Sequence, residues 1–533
     1  MSANELAAYE QQREALIAKD RALRLDNKYA GQVTELEKNA DNIVRAIRTE
    51  EASTIWSAEH PEIAHPFPGM EFLTGKSIID QTKLLKILHK MPKGALLHAH
   101  LDATVEAPFL LKAALEEPAM HVRVTQTINA QTISTTLPEF QALPVALRPQ
   151  GASSICSGTY ESGSWVSIQA ARSSFSSELG GPGGFDSWVL RGMTINPAEA
   201  YGTHNTVTKI WQKFGSTFLV SGGFVLYMPI FEKYVREFLR SSVEDGVLYV
   251  EPRINFWFKT FVDADGNDTV SHSDVLKTFE RIVKEFKAEL AAEGRSDEFV
   301  DAKIIYSSLR FIKPDELVWY LEDCIEMKKE FPHLIVGFDM VGDENVLFPL
   351  KFYLKELLQF KQMQRDAGVE IPFVFHAGET LGDGTAADDN LYDAILLGTK
   401  RIGHGFSLVK HPEIMRLCRE RDIALEVCPI SNEILRLTSS MPMHPLPILV
   451  NHGISVALCS DDPSVFGNMG LSYDYYQVLV SSEVSGLSQL GAMARDSIQH
   501  ALLTAEEKEV AVGKWTKQWN RFLGTIADGS AML

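Results

Sequence analysis

After Pro92 the chain repeats one rhythm eight times: a short apolar run, then a stretch long enough to hold a helix. The runs are Ala95–Asp102, Val247–Asn255, Ala302–Arg310, Leu334–Gly342, Phe373–Glu379, Arg401–Ser407, Ala424–Ser431 and Ser455–Asp462. Strands joined by helix-length connections must lie parallel, because a parallel pair cannot be closed by a tight turn. Eight such units predict an α/β fold, a (β/α)8 barrel, with the active site at the C-terminal ends of the strands. The polar residues of the runs sit at those ends.

Two stretches fall outside the rhythm. Residues 1–92 open the chain, and Asn4 to Trp56 is rich in Ala, Glu, Leu, Lys, Gln and Arg at helical spacing, which predicts an N-terminal helical arm. The arm either packs on the barrel or pairs two copies into a homodimer. The barrel is expected over 93–533. Between its first and second strands lie roughly 145 residues, far more than one βα connection uses, so the gap holds an insertion. We place an inserted module at about 117–184, followed by helices from Ala198 to Ser242. Gly180–Gly184 (GGPGG) reads as a flexible turn, and not as a phosphate loop, since no Lys-Ser/Thr follows it.

At 533 residues the chain exceeds one ordinary core, and with 45% hydrophobic and 23% charged residues it is neither disordered nor disulfide-stapled. Its formal charge of -19 would repel a phosphate backbone, which excludes nucleic acid as a natural partner. No run of eighteen apolar residues suggests a membrane span, and Met1 to Glu10 does not read as a secretory signal, so a cytoplasmic protein is expected. Cys156, Cys324, Cys418, Cys428 and Cys459 are odd in number and scattered, which suggests free thiols.

The chemistry-bearing residues lie at strand ends. In LLHAHLDA, His98 and His100 are two apart, so a strand turns both imidazoles to one face, with Asp102 on the same parity. FVFHAGET places His376 in the fifth strand and Glu379 just past its end. In RIGHGFS, Gly403 and Gly405 clear space around His404. In SVALCSDDP, parity points Asp461 into the barrel and leaves Asp462, before Pro463, free to turn toward a substrate. Each motif alone has a structural reading: a core histidine pair, a helix-capping carboxylate, a histidine filling a gap, a turn. Their joint placement at ends that a barrel brings together points to a metal site of three imidazoles and a carboxylate, with further acid-base groups that a closed structural zinc site would not need.

The stretches MPKGALLHAHLDA, GFDMVGDE, FHAGET, RIGHGF, LEVCPISN and CSDDP resemble the adenosine deaminase branch of the amidohydrolase superfamily. GSWVSIQAARSSF and EAYGTHNTVTKIWQKF, with the arm and the insertion, are similar to its adenosine deaminase-related growth factor subfamily. The resemblance implies that His98, His100, His376 and Asp461 hold Zn2+, that Glu379 shuttles protons, and that His404 positions the attacking water and helps deprotonate it. It places Asp462 and Gly342 on the purine, Asp102 on the ribose and Trp165 at the pocket. The implied reaction is hydrolytic deamination of adenosine, and of 2′-deoxyadenosine, to inosine and ammonia in purine nucleoside salvage. Members of the growth-factor branch are usually secreted and carry a disulfide in the insertion, whereas this chain has no second cysteine near Cys156, which favours an intracellular enzyme. Two alternatives are a deaminase of AMP or an N6-substituted purine, and an inactive growth-factor-like binding protein. A carboxylate at Asp102 would repel a phosphate dianion, and a pure binder has no need of Glu379 beside a metal.

Overall fold

The structure is a computed structural model that describes residues 3–149 and 154–532. The apolar runs pair in parallel. Gly94–Leu96 lies beside Val247–Val250, which is followed by Arg253–Asn255. These in turn flank Asp301–Ala302 and Ile304–Leu309, and the latter pairs with Ile335–Val341. A single bridge, Phe338 to Phe373, leads to His376–Ala377, then Arg401–His404, Ala424–Val427 and Val456–Leu458. A bridge between Ala99 and Asp461 returns the eighth strand to the first and closes the barrel. Every pairing around the ring is parallel, as helix-length crossovers require.

All eight expected strands are present; the second fills its run in two pieces, and the other seven are shorter at one or both ends than the apolar runs. Beyond the ladder the chain bends into the loops that build the site. The clearest case is the seventh, which ends at Val427, because Pro429 has no N–H for a ladder and instead opens the helical turn Pro429–Ile434. Two parity arguments fail for the same reason. Asp102 lies on a 3₁₀ turn, Leu101–Ala103, and Asp461 lies past the end of its strand with φ +60°, so a left-handed backbone step and not strand alternation aims its carboxylate.

The insertion contains an antiparallel sheet with Met120–Arg123 between Glu139–Ala142 and Val166–Ser167, then the helices Gly181–Met193, Val207–Val225 and Met228–Glu244. The GGPGG segment is the start of a helix and not a free turn, with Gly180 at φ +93° before it and Pro182 in its first turn. Of the expected module and chain ends, residues 1, 2, 150–153 and 533 lie outside the described residues.

In the first 92 residues the helix Glu35–Ser53 packs on the two C-terminal helices, Leu487–His500 and Ala505–Ala527. Its buried Arg48 donates to the carbonyls of Leu479, Ser482 and Ser485 at 3.0, 3.0 and 2.6 Å, which fastens the arm to the barrel. The helix Ala3–Arg21 is exposed along nearly its whole length. Among the described residues no helix is long and apolar enough to cross a membrane.

Candidate active site and metal centre

The first, fifth and eighth strands deliver their ends to one point. Nitrogens of His98, His100 and His376 and an oxygen of Asp461 all lie within 4.8 Å of one another. His98, His376 and Asp461 are buried, and His100 opens slightly to the mouth. Asp461 Oδ1 faces Nε2 of both His98 and His100 at 3.3 Å. Yet His98 Nε2 and Asp461 Oδ1 have no hydrogen-bond partner. Buried polar atoms are almost always satisfied, so an orphaned nitrogen and oxygen converging with two more imidazoles are what a cation would satisfy.

The remaining atoms of these ligands are tied down. His98 Nδ1 meets Glu426 Oε2 at 2.8 Å, and His376 Nδ1 meets Asp339 Oδ2 at 2.6 Å. A carboxylate can only accept, so each ring carries its proton on Nδ1 and turns an Nε2 lone pair inward, the state a metal needs. Ser431 Oγ donates to Asp461 Oδ2 at 2.7 Å, leaving Oδ1 free. Below the ligands Arg253 bridges Asp339 and Glu426 at 2.7 Å each, and Arg401 joins Glu426 to Glu251 at 2.6 and 2.7 Å. Burial works against charge on Asp339 and Glu426. Their partners outweigh it: the His376 hydrogen bond and the Arg253 charge hold Asp339 well below the carboxylate range, and Arg253 and Arg401 do the same for Glu426. Burial holds His376 down at about 3, against the pull of Asp339, so it stays neutral.

A second grouping, His98, His404, Cys428 and Asp461, is equally close. Burial pushes the Cys428 thiol well up, and its Sγ turns to the Glu426 carbonyl at 3.7 Å. A thiol held protonated is the poorer ligand.

Beside the cluster stand two groups suited to proton chemistry. Glu379 is buried and its Oε1 has no partner, while its backbone N–H is pinned by Glu344 Oε1 at 2.9 Å. Burial, then the charges of Asp461, Glu344 and Asp343, push its pKa well above the usual value, which favours the protonated carboxyl. His404 has φ +60° and sits between two glycines, its Nδ1 3.6 Å from Glu379 Oε1 and its Nε2 3.8 Å from Asp461 Oδ2. Burial lowers its pKa well below the normal range and keeps it neutral. Asp461 and His404 are two of five non-glycine residues with positive φ among those described, and strain of this kind concentrates at functional sites.

The other expected residues lie at the same rim or apart from it. Asp462 is buried, and burial followed by the neighbouring Asp461 and Asp102 charges raise its pKa strongly. Asp102 is half-buried on its turn beside His100, with its pKa raised by burial. Gly342, just past the fourth strand, has φ +118°, and a side chain there would meet Leu347 at 2.6 Å. Trp165 directly precedes the inserted strand Val166–Ser167, its ring 4.5 Å under the Arg123 guanidinium. From the insertion, the helix Val207–Val225 packs against the Asp102 turn, and Tyr234 of the next helix accepts from Thr104 N–H at the turn's end at 2.9 Å.

Sequence reasoning assigned no role to Asp339, Glu426, Arg253, Glu344, Ser431 or Asn432. A signal was present for the first three: a charged residue inside an otherwise apolar buried strand must have a partner, and here the partners are candidate metal ligands or one another.

A family model described as Adenosine deaminase matches residues 197–515. Adenosine deaminase 2-A of Danio rerio is 32% identical over 521 residues, spanning 96% of this chain and 93% of that protein. Two solved structures share the fold. The N6-mAMP deaminase of arabidopsis has a TM-score of 0.52 at 16% identity, covering 81% of this chain and 99% of its own. An amidohydrolase of Burkhoderia ambifaria, solved with bound Zn, has a TM-score of 0.51 at 16% identity, covering 83% and 94%.

Proposed function

Because the chain belongs to the adenosine deaminase family and is a hydrolytic deaminase, we propose that it converts adenosine, and 2′-deoxyadenosine, to inosine and ammonia with Zn2+ held by His98, His100, His376 and Asp461. The observation that carries the metal assignment is the orphaned pair His98 Nε2 and Asp461 Oδ1 within a cluster of three nitrogens and one oxygen. When bound, zinc lowers the pKa of a coordinated water toward ~7 and so supplies a nucleophile near neutrality.

The protein's own groups account for the rest. Glu379, protonated because it is buried among carboxylates, donates to purine N1 and drains electron density from C6. His404 holds the attacking water. Asp462, whose pKa burial and the neighbouring Asp461 and Asp102 charges raise, is suited to offer a proton to N7, which is an acceptor. Water oxygen bonds to C6 and the C6–N6 bond breaks; of the two water protons one leaves with the amino group as ammonia and the other restores Glu379, while N1 keeps the proton it received in inosine.

Asp102, placed on the ribose, would set a carboxylate against a phosphate dianion, which favours a neutral nucleoside. The arabidopsis deaminase shares the fold, and its nucleotide substrate does not transfer at 16% identity. Purine salvage inside the cell is the setting we favour, supported by five free cysteines, which a reducing compartment permits. We extend the reading to a homodimer through the exposed helix Ala3–Arg21, since a polar helix of 19 residues is marginal without a packing partner.

The test is a panel of zinc-loaded protein on adenosine, deoxyadenosine, AMP, adenine and N6-substituted analogues, followed by the ultraviolet change on deamination. Turnover should be fastest on the nucleosides. A strong preference for AMP would replace the substrate, and zinc-replete protein inert on every aminopurine would favour a binding role.

A further inference from the structure

Behind His404 a chain of hydrogen bonds begins on the backbone. Leu446 N–H donates to Nδ1 of His444 at 3.0 Å. A main-chain amide can only donate, so this nitrogen is bare and the ring proton is on Nε2. His444 Nε2 meets Oδ1 of Asn432 at 3.1 Å, which fixes the oxygen end of the carboxamide. The NH2 end then faces Nδ1 of His404 at 3.2 Å. An amide NH2 cannot accept, so Nδ1 of His404 must.

We propose that this relay, from Leu446 N–H through His444 and Asn432, sets His404 in the tautomer that carries its proton on Nε2, the nitrogen facing Asp461. His444, Asn432 and His404 are all buried, so no water competes for these bonds. Burial also lowers His444 to about 3, which keeps it neutral. The rival arrangement, Nδ1–H donating to Glu379, would need a bond across 3.6 Å and would turn two N–H groups on Asn432 and His404 against each other.

The consequence concerns what His404 does in the proposed reaction, on which the inference rests. A neutral imidazole with Nε2–H turned toward the metal side offers a donor to the attacking oxygen and no lone pair to take its proton. It therefore orients the nucleophile through one of the oxygen's lone pairs, and does not begin as a base. Asn432 and His444 are positioning residues that act through His404. Helix Pro429–Ile434 carries both supports, with Ser431 on the metal ligand Asp461 and Asn432 on His404.

The test is nitrogen-15 NMR of zinc-loaded protein labelled at histidine, with the His404 signals assigned by their loss in His404→Gln. The wild type should show a proton on Nε2 and a bare Nδ1. Asn432→Asp replaces the donor with an acceptor and should move the proton to Nδ1. Zinc content should hold, and kcat should fall at least ~10²-fold with KM for adenosine little changed, the pattern of a misdirected catalytic histidine. Should the buried carboxylate prevent folding, His444→Phe frees the carboxamide and should mix the tautomers, whereas His444→Gln keeps a donor and should preserve both tautomer and kcat. A His404 with its proton on Nδ1 in the wild type overturns the relay, and so does an unchanged tautomer in both Asn432→Asp and His444→Phe. Inactivity on adenosine with the expected tautomers would sink the substrate assignment and leave the relay standing.

Discussion

Glu379 sits in an environment far from that of an ordinary carboxylate. Its carboxyl is buried, one oxygen has no partner, and the nearest charges are other carboxylates. That setting keeps a proton where water would remove it, and a proton is what N1 of a purine must receive for C6 to become electrophilic. Glu379→Gln keeps the size, the backbone hydrogen bond to Glu344 and the metal ligands, and removes only the transferable proton. We expect zinc content by elemental analysis to match wild type and kcat to fall ~10²–10⁴-fold, the usual contribution of a general acid. Turnover near wild type would remove Glu379 from the reaction. At this scale the sequence was most informative for the ligands and Glu379, because strand-end histidines and acids are conspicuous in apolar runs. It was blind to Ser431 and Asn432, ordinary polar residues whose importance arises only because Pro429 bends the chain back over Asp461 and His404.

At the level of elements, the eight apolar runs were legible because parallel strands buried on both faces must be nearly continuous in hydrophobicity. Their ends were not, since a run of apolar residues continues unchanged through the bend that takes it out of the ladder. The helix Pro429–Ile434 is the element most obscured in this way, and it is also a joint. Its Glu433 is buried and accepts from Phe72 N–H and from the Tyr201 hydroxyl, both at 3.0 Å, so one carboxyl ties this turn to the arm and to the insertion. Burial pushes its pKa up to about 8, from 4.5. The sign follows: between about pH 4.5 and 8 the folded chain holds a proton that the unfolded chain has lost. Stability from this group is therefore complete below the unfolded value and drains away as pH rises toward 8, by up to about 1.4 kcal/mol per pH unit. Glu433→Gln should flatten that part of the curve, so that its melting temperature, compared with wild type at each pH, gains steadily across the window. A constant difference from pH 5 to 9 would mean that Glu433 is charged in the fold.

For the whole molecule, the candidate metal ligands come from the first, fifth and eighth strands, and each of these strands has a junction where the ladder thins to a single bridge. The fifth strand joins the fourth through the lone bridge Phe338 to Phe373, and the eighth joins the first through Ala99 and Asp461. An ion shared by His98, His100, His376 and Asp461 would thus clamp the seam between the eighth and first strands and tie it across the barrel to the fifth, and binding to the folded chain alone must raise its stability. Linkage sets the size: at a free zinc concentration 100 times the dissociation constant, about 2.7 kcal/mol. Stripping the metal with a chelator should lower the melting temperature, and readdition should restore it along a curve that rises with the logarithm of free zinc. Asp461→Ala should melt low and respond weakly to zinc, because the anionic ligand that offsets the ion's charge is gone. The arm offers the control. Arg48→Ala removes hydrogen bonds to the Leu479, Ser482 and Ser485 carbonyls, far from the ligands in the chain, and should lower the melting temperature while keeping the full zinc response. Identical melting with and without zinc in the wild type would show that the four side chains, though gathered at one point, share no ion.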